Sequence, residues 1–195
     1  MQSYVNDIRP LKIKLRTKAK QTRIDMGETK KSAADSKICN RLTALWTFRQ
    51  ADSVFVYMST PIEVDTVEII KRAWELGKTV AVPRCIENTR DMDFFEITSF
   101  DDVERGTFGV LEPKPDKCKK AVADKNTLCI VPALMLDEEG YRLGYGKGYY
   151  DRFLSKFPGK IIGICYAACI TEKLPHGKFD KKLSMFITEK KIYNT

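Results

Sequence analysis

The feature that most constrains this chain is a strand–helix–strand succession between Ser53 and Val82. Ser53-Val-Phe-Val-Tyr-Met58 is a short apolar run of the length of a buried strand. Val64 to Leu76 has the spacing of a helix and stops at Gly77, a residue suited to close one. Thr79-Val-Ala-Val82 is then a second strand. Such a unit pairs its strands in parallel through a right-handed crossover. The expected fold class is α/β, with three layers: a mostly parallel central sheet and helices on both faces. At 195 residues, one domain over 1–195 is expected.

The rest of the chain reads the same way. Residues 8 to 24 form a helix, with Pro10 tolerated in its first turn, and a second helix covers about 29 to 47. Further strands are expected at Met92–Ile97, Leu128–Leu136, Lys160–Cys165 and Ser184–Thr188. A helix is expected over Gly148–Phe157, and residues 113 to 127, polar and rich in Lys and Pro, read as a surface connection. In the first helix Ile8, Leu11, Leu15 and Ala19 form an apolar stripe beside a basic one of Lys12, Arg16, Lys20 and Arg23. On spacing alone the basic stripe is a solvated face. Ligands in parallel sheets sit beyond the carboxyl ends of the strands, so the Glu63, Arg84 and Arg142–Asp151 segments, which all follow strands, are expected to converge there.

The segment Gly140-Tyr-Arg-Leu-Gly-Tyr-Gly-Lys-Gly-Tyr-Tyr-Asp-Arg152 carries the clearest chemistry. Glycines at alternate positions let a backbone approach a ligand and turn N–H groups toward it. Arg142 and Lys147 add positive charge, and Asp151 is able to hold a hard cation. The pattern suits a polyphosphate with magnesium beside flat rings. It is not a Walker A loop: position 141 is Tyr and position 148 is Gly where that motif needs Gly and Ser or Thr. It also fails the dinucleotide fingerprint, because position 149 is Tyr. A glycine-rich turn between strand and helix remains the bland alternative.

Val131 to Asp151 closely resembles the signature of the 5-formyltetrahydrofolate cyclo-ligase (5,10-methenyltetrahydrofolate synthetase) family. Weaker matches follow in the family's order: the basic first helix, Glu63-Val-Asp-Thr66, Val82-Pro-Arg84, Phe108-Gly-Val-Leu-Glu-Pro113, Leu174-Pro175, and Asp180 ahead of Phe186-Ile-Thr-Glu189. The resemblance implies a ligase that uses ATP and Mg²⁺ to close 5-formyltetrahydrofolate into 5,10-methenyltetrahydrofolate. It implies catalytic roles for Arg142, Lys147 and Asp151. ATP contacts fall on Lys12, Arg16, Arg142, Gly144, Gly146, Lys147, Gly148, Tyr149 and Tyr150. Folate contacts fall on Met58, Glu63, Tyr145, Gly146, Lys147, Gly148 and Tyr149. Asp151 and Asp180 are the implied metal ligands, and Ser184 stands where relatives often carry another acid. Glu63 has a second reading, as a charge favoured ahead of a helix N-terminus. For Phe55 core packing is the better reading, and Glu112 and Pro113 are expected to shape a neighbouring loop. His176 is expected to be exposed and is not assigned as a base.

Net charge is +8, and residues 1 to 31 hold nine Lys or Arg against three Asp or Glu. This raises the local concentration of anions. ATP, a folate with its glutamate tail and RNA are all anions, and charge does not separate them. An RNA platform would interleave aromatics with basic residues, which the first basic stripe does not do. An ATP-dependent enzyme with a different acceptor is the other competing reading. Six cysteines form no C-x-x-C pair, so buried free thiols fit better than a zinc site; Cys165 and Cys169, four apart, are spaced to share a helix face. No apolar run approaches the roughly 18 residues of a membrane span, and the charged start lacks a signal-peptide core. A cytoplasmic monomer acting on small molecules, with no membrane or nucleic-acid partner, is expected.

Overall fold

A computed structural model describes residues 7–106 and 109–195. Phe108, expected to open the Gly–Glu–Pro segment, lies outside the described residues. The central sheet has seven strands: β1 (Ser53–Val56), β2 (Thr79–Cys85), β3 (Met92–Ile97), β6 (Thr127–Pro132), β9 (Lys160–Ile164), β11 (Met185–Ile187) and β12 (Ile192–Asn194). Their order is β12-β11-β9-β6-β1-β2-β3. The five inner strands are parallel, and β3 and β12 are antiparallel edges.

Strand side chains alternate between two covered faces, as a parallel sheet requires. Val54, Val56, Val80, Val82, Leu128 and Ile130 enter one core with α2 (Gly27–Ala44), α3 (Trp46–Gln50) and α4 (Val67–Glu75). Phe55, Ala81, Cys129 and Val131 enter the other with α1 (Arg9–Asp25) and α5 (Tyr149–Leu154). Phe55 is in the core as expected: it stacks on Phe94 at 4.7 Å, and Phe94 packs on Phe153 of α5 at 4.7 Å. Truncating such a buried ring to Ala costs about 3–5 kcal/mol. No helix among the described residues is long and apolar enough to cross a membrane.

Several boundaries differ from expectation, each for a local reason. The second helix breaks at Leu45, whose backbone is extended (ψ 140°), and resumes as α3. α4 starts at Val67, because Asp65 Oδ1 accepts the Val67 N–H at 3.0 Å and so ends the preceding turn. The expected strand Leu128–Leu136 is two strands in different sheets, β6 and β7 (Met135–Asp137). The break follows Pro132, which has no N–H to donate, and the carbonyls of Ala133 and Leu134 turn to Arg23 instead. β7 pairs with β8 (Arg142–Leu143) and β10 (Ile170–Thr171), short elements with no pattern of their own. β4 (Val103–Arg105) and β5 (Leu111–Pro113) form a hairpin. α5 stops at Leu154, short of Phe157, and β11 is not the last strand because β12 follows it. Cys165 and Cys169 do not share a helix: the first follows β9 and the second ends a 3-10 turn, Ala167–Cys169. All six thiols are free, and all but Cys85 are buried.

Candidate active site

β1, β2 and β6 end at one cleft of about 1090 Å³, lined by Met58, Pro83, Cys85 and Pro132 among others. That volume is at or above the upper end of single-ligand pockets, roughly 300–1,000 Å³. Lys12, Arg16, Glu63, the whole of Arg142–Asp151 and Asp180 line it too. The structure thus brings the predicted site residues together. Arg84 is the exception: its guanidinium turns to the β4–β5 hairpin, donating to Pro113 O at 2.7 Å and pairing with Glu104 at 3.2 Å.

The β7–β8 hairpin delivers the glycine segment. Buried Asp137 accepts the N–H groups of Tyr141 (2.8 Å) and Leu174 (2.9 Å), joining the turn to the segment that leads to Asp180. Gly140 has φ +95°, and a Cβ there would strike the carbonyl of Leu183, so only glycine permits this approach. The Leu183 N–H donates back to Gly140 O at 2.9 Å. Within the cleft Arg142, its side chain 5% exposed, pairs with Asp151 at 2.7 Å. The Lys181 N–H reaches the same Asp151 oxygen at 3.4 Å. Arg142 Cζ lies 5.6 Å from the Tyr150 ring centroid, and its Nε has no partner among the described residues.

Helix α1 runs along the cleft, and of its basic stripe only Lys20 is exposed as spacing implied. Lys12 Nζ pairs with Asp180 at 2.6 Å, and Asp180 also accepts the Gly177 N–H at 2.7 Å. Arg16 Nε donates to Gly144 O at 2.8 Å. Lys20 Nζ lies 5.4 Å from the Tyr145 ring centroid, and Arg23 is buried. Gly146 has φ +95°, and a Cβ there would lie 2.9 Å from Arg16 Cζ, so the second glycine makes room for the helix's arginine.

Also in the cleft wall, buried Glu63 caps a tight turn rather than the helix. Its Oε2 accepts from Thr60 N and Thr60 Oγ1, both at 2.8 Å. The helix-start role falls to Asp65. Tyr166 Oη donates to Glu63 O at 2.9 Å, and Tyr57 Oη to Val64 O at 3.0 Å, which pins the loop from below. Burial first, then the Glu63 charge, pushes the Tyr145 phenol up to about 12. Burial first, then Glu112, pushes the Cys85 thiol up to about 11. Both are neutral donors near pH 7, and Cys85 is a poor nucleophile there. Glu112 is buried and accepts the Cys85 N–H at 3.3 Å, which ties the hairpin to β2 as a shaping contact.

Among the described residues no three His, Cys, Asp or Glu side chains gather into a metal cage. The two carboxylates expected at a metal each face a cation instead: Asp151 through Oδ1 and Asp180 through Oδ2. Exposed Ser184 adds no acid. His176 is exposed as expected and stacks on Tyr141 at 3.6 Å.

The family model for the 5-formyltetrahydrofolate cyclo-ligase family matches residues 9–189. The chain belongs to that family. It is 31% identical to a probable 5-formyltetrahydrofolate cyclo-ligase of Schizosaccharomyces pombe over 80% of this chain and 83% of the other. The Haemophilus influenzae cyclo-ligase is 25% identical, over 87% and 92%. The solved 5,10-methenyltetrahydrofolate synthetase of Aquifex aeolicus superposes with a TM-score of 0.81 at 29% identity, over 94% of this chain and 92% of that one. The cyclo-ligase relatives are enzymes, and so is this chain. Sequence reasoning missed Thr60, Arg90, Met92, Leu134 and Phe179 as cleft residues. Phe179 had a signal, since it adjoins Asp180; the others line the cleft only because distant segments meet.

Proposed function

We propose that this chain catalyses the ATP- and Mg²⁺-dependent closure of 5-formyltetrahydrofolate to 5,10-methenyltetrahydrofolate, with ADP and phosphate released. One observation carries the reading. A single cleft is lined by two cation–carboxylate pairs, Arg142–Asp151 and Lys12–Asp180, and by the Glu63 turn. Phosphates are anions that would draw the cations, and a divalent metal would draw the carboxylates. Asp151 Oδ2 and Asp180 Oδ1 have no hydrogen bond among the described residues, so each carboxylate has an oxygen to offer. Two carboxylates fit Mg²⁺, which keeps waters and phosphate oxygens as its other ligands. When bound, it would neutralise charge on the transferring phosphate.

The formyl oxygen takes the γ-phosphoryl group and ADP leaves; N10 then attacks the formyl carbon and gives up its proton, and the former formyl oxygen departs in the phosphate, which can carry that proton away. Phosphoryl transfer rests on positioning and electrostatics, so no protein nucleophile is needed. Arg142 and Lys147 would bind phosphate oxygens, Arg with two parallel donors and Lys as a point charge. Arg16 and Lys12 would act from α1, and backbone N–H groups of Gly144 to Tyr150 would line the phosphates. The Glu63 carboxylate would accept from the pterin amino group and ring N–H, beside Met58 and the neutral Tyr145 phenol. A monomeric, single-domain cytoplasmic enzyme is part of the same reading.

The test is near-UV absorbance of purified protein with 5-formyltetrahydrofolate, ATP and Mg²⁺, following the methenyl chromophore. A rise that needs every component supports the reading. No rise, from folded protein that still binds ATP, overturns it in favour of another acceptor.

A further inference from the structure

Arg23 sits in the last turn of α1, 4% exposed, and its donors meet carbonyl oxygens rather than a carboxylate. Nη1 donates to Ile62 O at 3.1 Å. Nη2 donates to Leu134 O at 3.0 Å and to Ala133 O, with Cys165 Sγ at 3.4 Å. The guanidinium also lies over the Tyr166 ring, 5.3 Å from its centroid. Ile62, Ala133–Leu134 and Cys165 follow β1, β6 and β9, three neighbouring strands of the sheet. One planar group therefore gathers the chain after three strand ends.

This is a costly way to fill space. A buried guanidinium needs its donors met, and Nε has no partner among the described residues. Well-packed apolar side chains serve stability as well or better in such a place. What the guanidinium adds is direction. Ile62 precedes Glu63 in the turn assigned to the folate, whereas α1 also carries Lys12 to Asp180 and Arg16 to the glycine segment. Lys12 and Arg23 are eleven helical steps apart, about 16 Å of rigid rod.

We propose that Arg23 is a positioning residue that sets the distance between the folate end and the phosphate end of the cleft, by tying the Glu63 turn to α1. This rests on the cyclo-ligase reading. Lysine keeps the charge but cannot span Ile62 O and Ala133 O from one planar fork.

The experiment compares wild type, Arg23→Lys and Arg23→Met by thermal melting and by steady-state kinetics with each substrate varied. Both variants should melt cooperatively. kcat/KM for 5-formyltetrahydrofolate should fall about 10–100-fold, the cost of misplacing a reacting group by ~1 Å. The KM for ATP should stay within about twofold, because the Lys12 and Arg16 contacts are untouched. Arg23→Lys should recover no more than part of the loss. A merely structural residue would lower the melting temperature and the active fraction while both KM values held. That result, an equal rise of both KM values, or failure of both variants to fold would overturn the proposal. If wild type itself does not form the methenyl product, the cyclo-ligase reading fails instead, which separates the two.

Discussion

Asp151→Asn tests the ion-pair logic of the cleft most directly. The substitution keeps shape and removes charge opposite Arg142, whose side chain is 5% exposed while that of Asp151 is 27% exposed. Breaking a fully buried pair costs about 3–5 kcal/mol; water at the carboxylate and the remaining amide oxygen reduce this to about 1–2 kcal/mol. For a chain of this size that lowers the melting temperature by roughly 2–8 °C. The same change predicts opposite shifts in ATP binding with and without metal. Without Mg²⁺, phosphates that draw Arg142 away leave Asp151 as an unpaired negative charge beside them. Unit charges a few ångströms apart repel by ~1 kcal/mol in water and ~4 kcal/mol near a protein surface. Taking about 1–2 kcal/mol for this partly exposed carboxylate, metal-free ATP should bind the variant roughly 5- to 30-fold more tightly than wild type. With Mg²⁺ the order should reverse, and turnover should fall roughly 10²–10³-fold as charge stabilisation is lost. Isothermal titration with ATP in EDTA and in excess Mg²⁺, beside the absorbance assay, reads all of this. A variant with wild-type turnover, or with wild-type response of ATP affinity to Mg²⁺, would refute the assignment of Asp151 to the metal.

Gly146→Ala forces φ +95° on a residue with a Cβ and pushes that Cβ to within 2.9 Å of Arg16 Cζ. It should cost about 1–2 kcal/mol in a denaturant melt and raise the KM for ATP several-fold; an unchanged KM would mean that Arg16 does not serve ATP. Glu63→Gln turns an acceptor into a partial donor while leaving an oxygen for Thr60. Its kcat/KM for 5-formyltetrahydrofolate should drop about 10–100-fold, with the KM for ATP steady, and equal effects on both would sink the pterin assignment. Asp102 accepts from Thr98 N (2.7 Å), Ser99 N (3.0 Å) and Thr98 Oγ1 (3.0 Å). These bonds, the Thr98 backbone bond foremost, hold its carboxyl below the usual aspartate value. Its contribution is therefore full above about pH 4 and is lost as pH falls through the lower folded value. Asp102→Asn should shrink the drop in melting temperature between roughly pH 6 and pH 3, and an unchanged drop would refute this account.

The glycine segment was legible because its chemistry is local. Gly140, Gly146, Arg142 and Asp151 lie within twelve residues, and glycines in such a run imply turns and close approach whatever the rest of the chain does. The parallel sheet was legible for a similar reason, since apolar runs with a helix between them leave few pairings open. Legibility ended where a residue's partner is far along the chain. Spacing assigned Lys20 and Arg23 to solvent, and Lys20 is there, yet Arg23 finds its acceptors at Ile62, Ala133 and Leu134. The Leu128–Leu136 run reads as one strand because nothing local reports that an arginine more than a hundred residues away takes its carbonyls. β8 and β10, at two residues each, exist only through their pairing with β7.

By itself, then, the sequence determined the layered α/β class, the glycine segment and the family resemblance, because periodicity and short-range motifs are properties of neighbours in the chain. The tertiary structure alone decided that α1 lies along the cleft, that Asp151 and Asp180 each face a cation, and that Glu63 and Arg142 line one cavity. The physical reason is that hydrogen bonds and ion pairs are met through space. Which carbonyl or carboxylate a buried cation reaches depends on where the packed sheet puts it, and the spacing of residues in the chain does not carry that information.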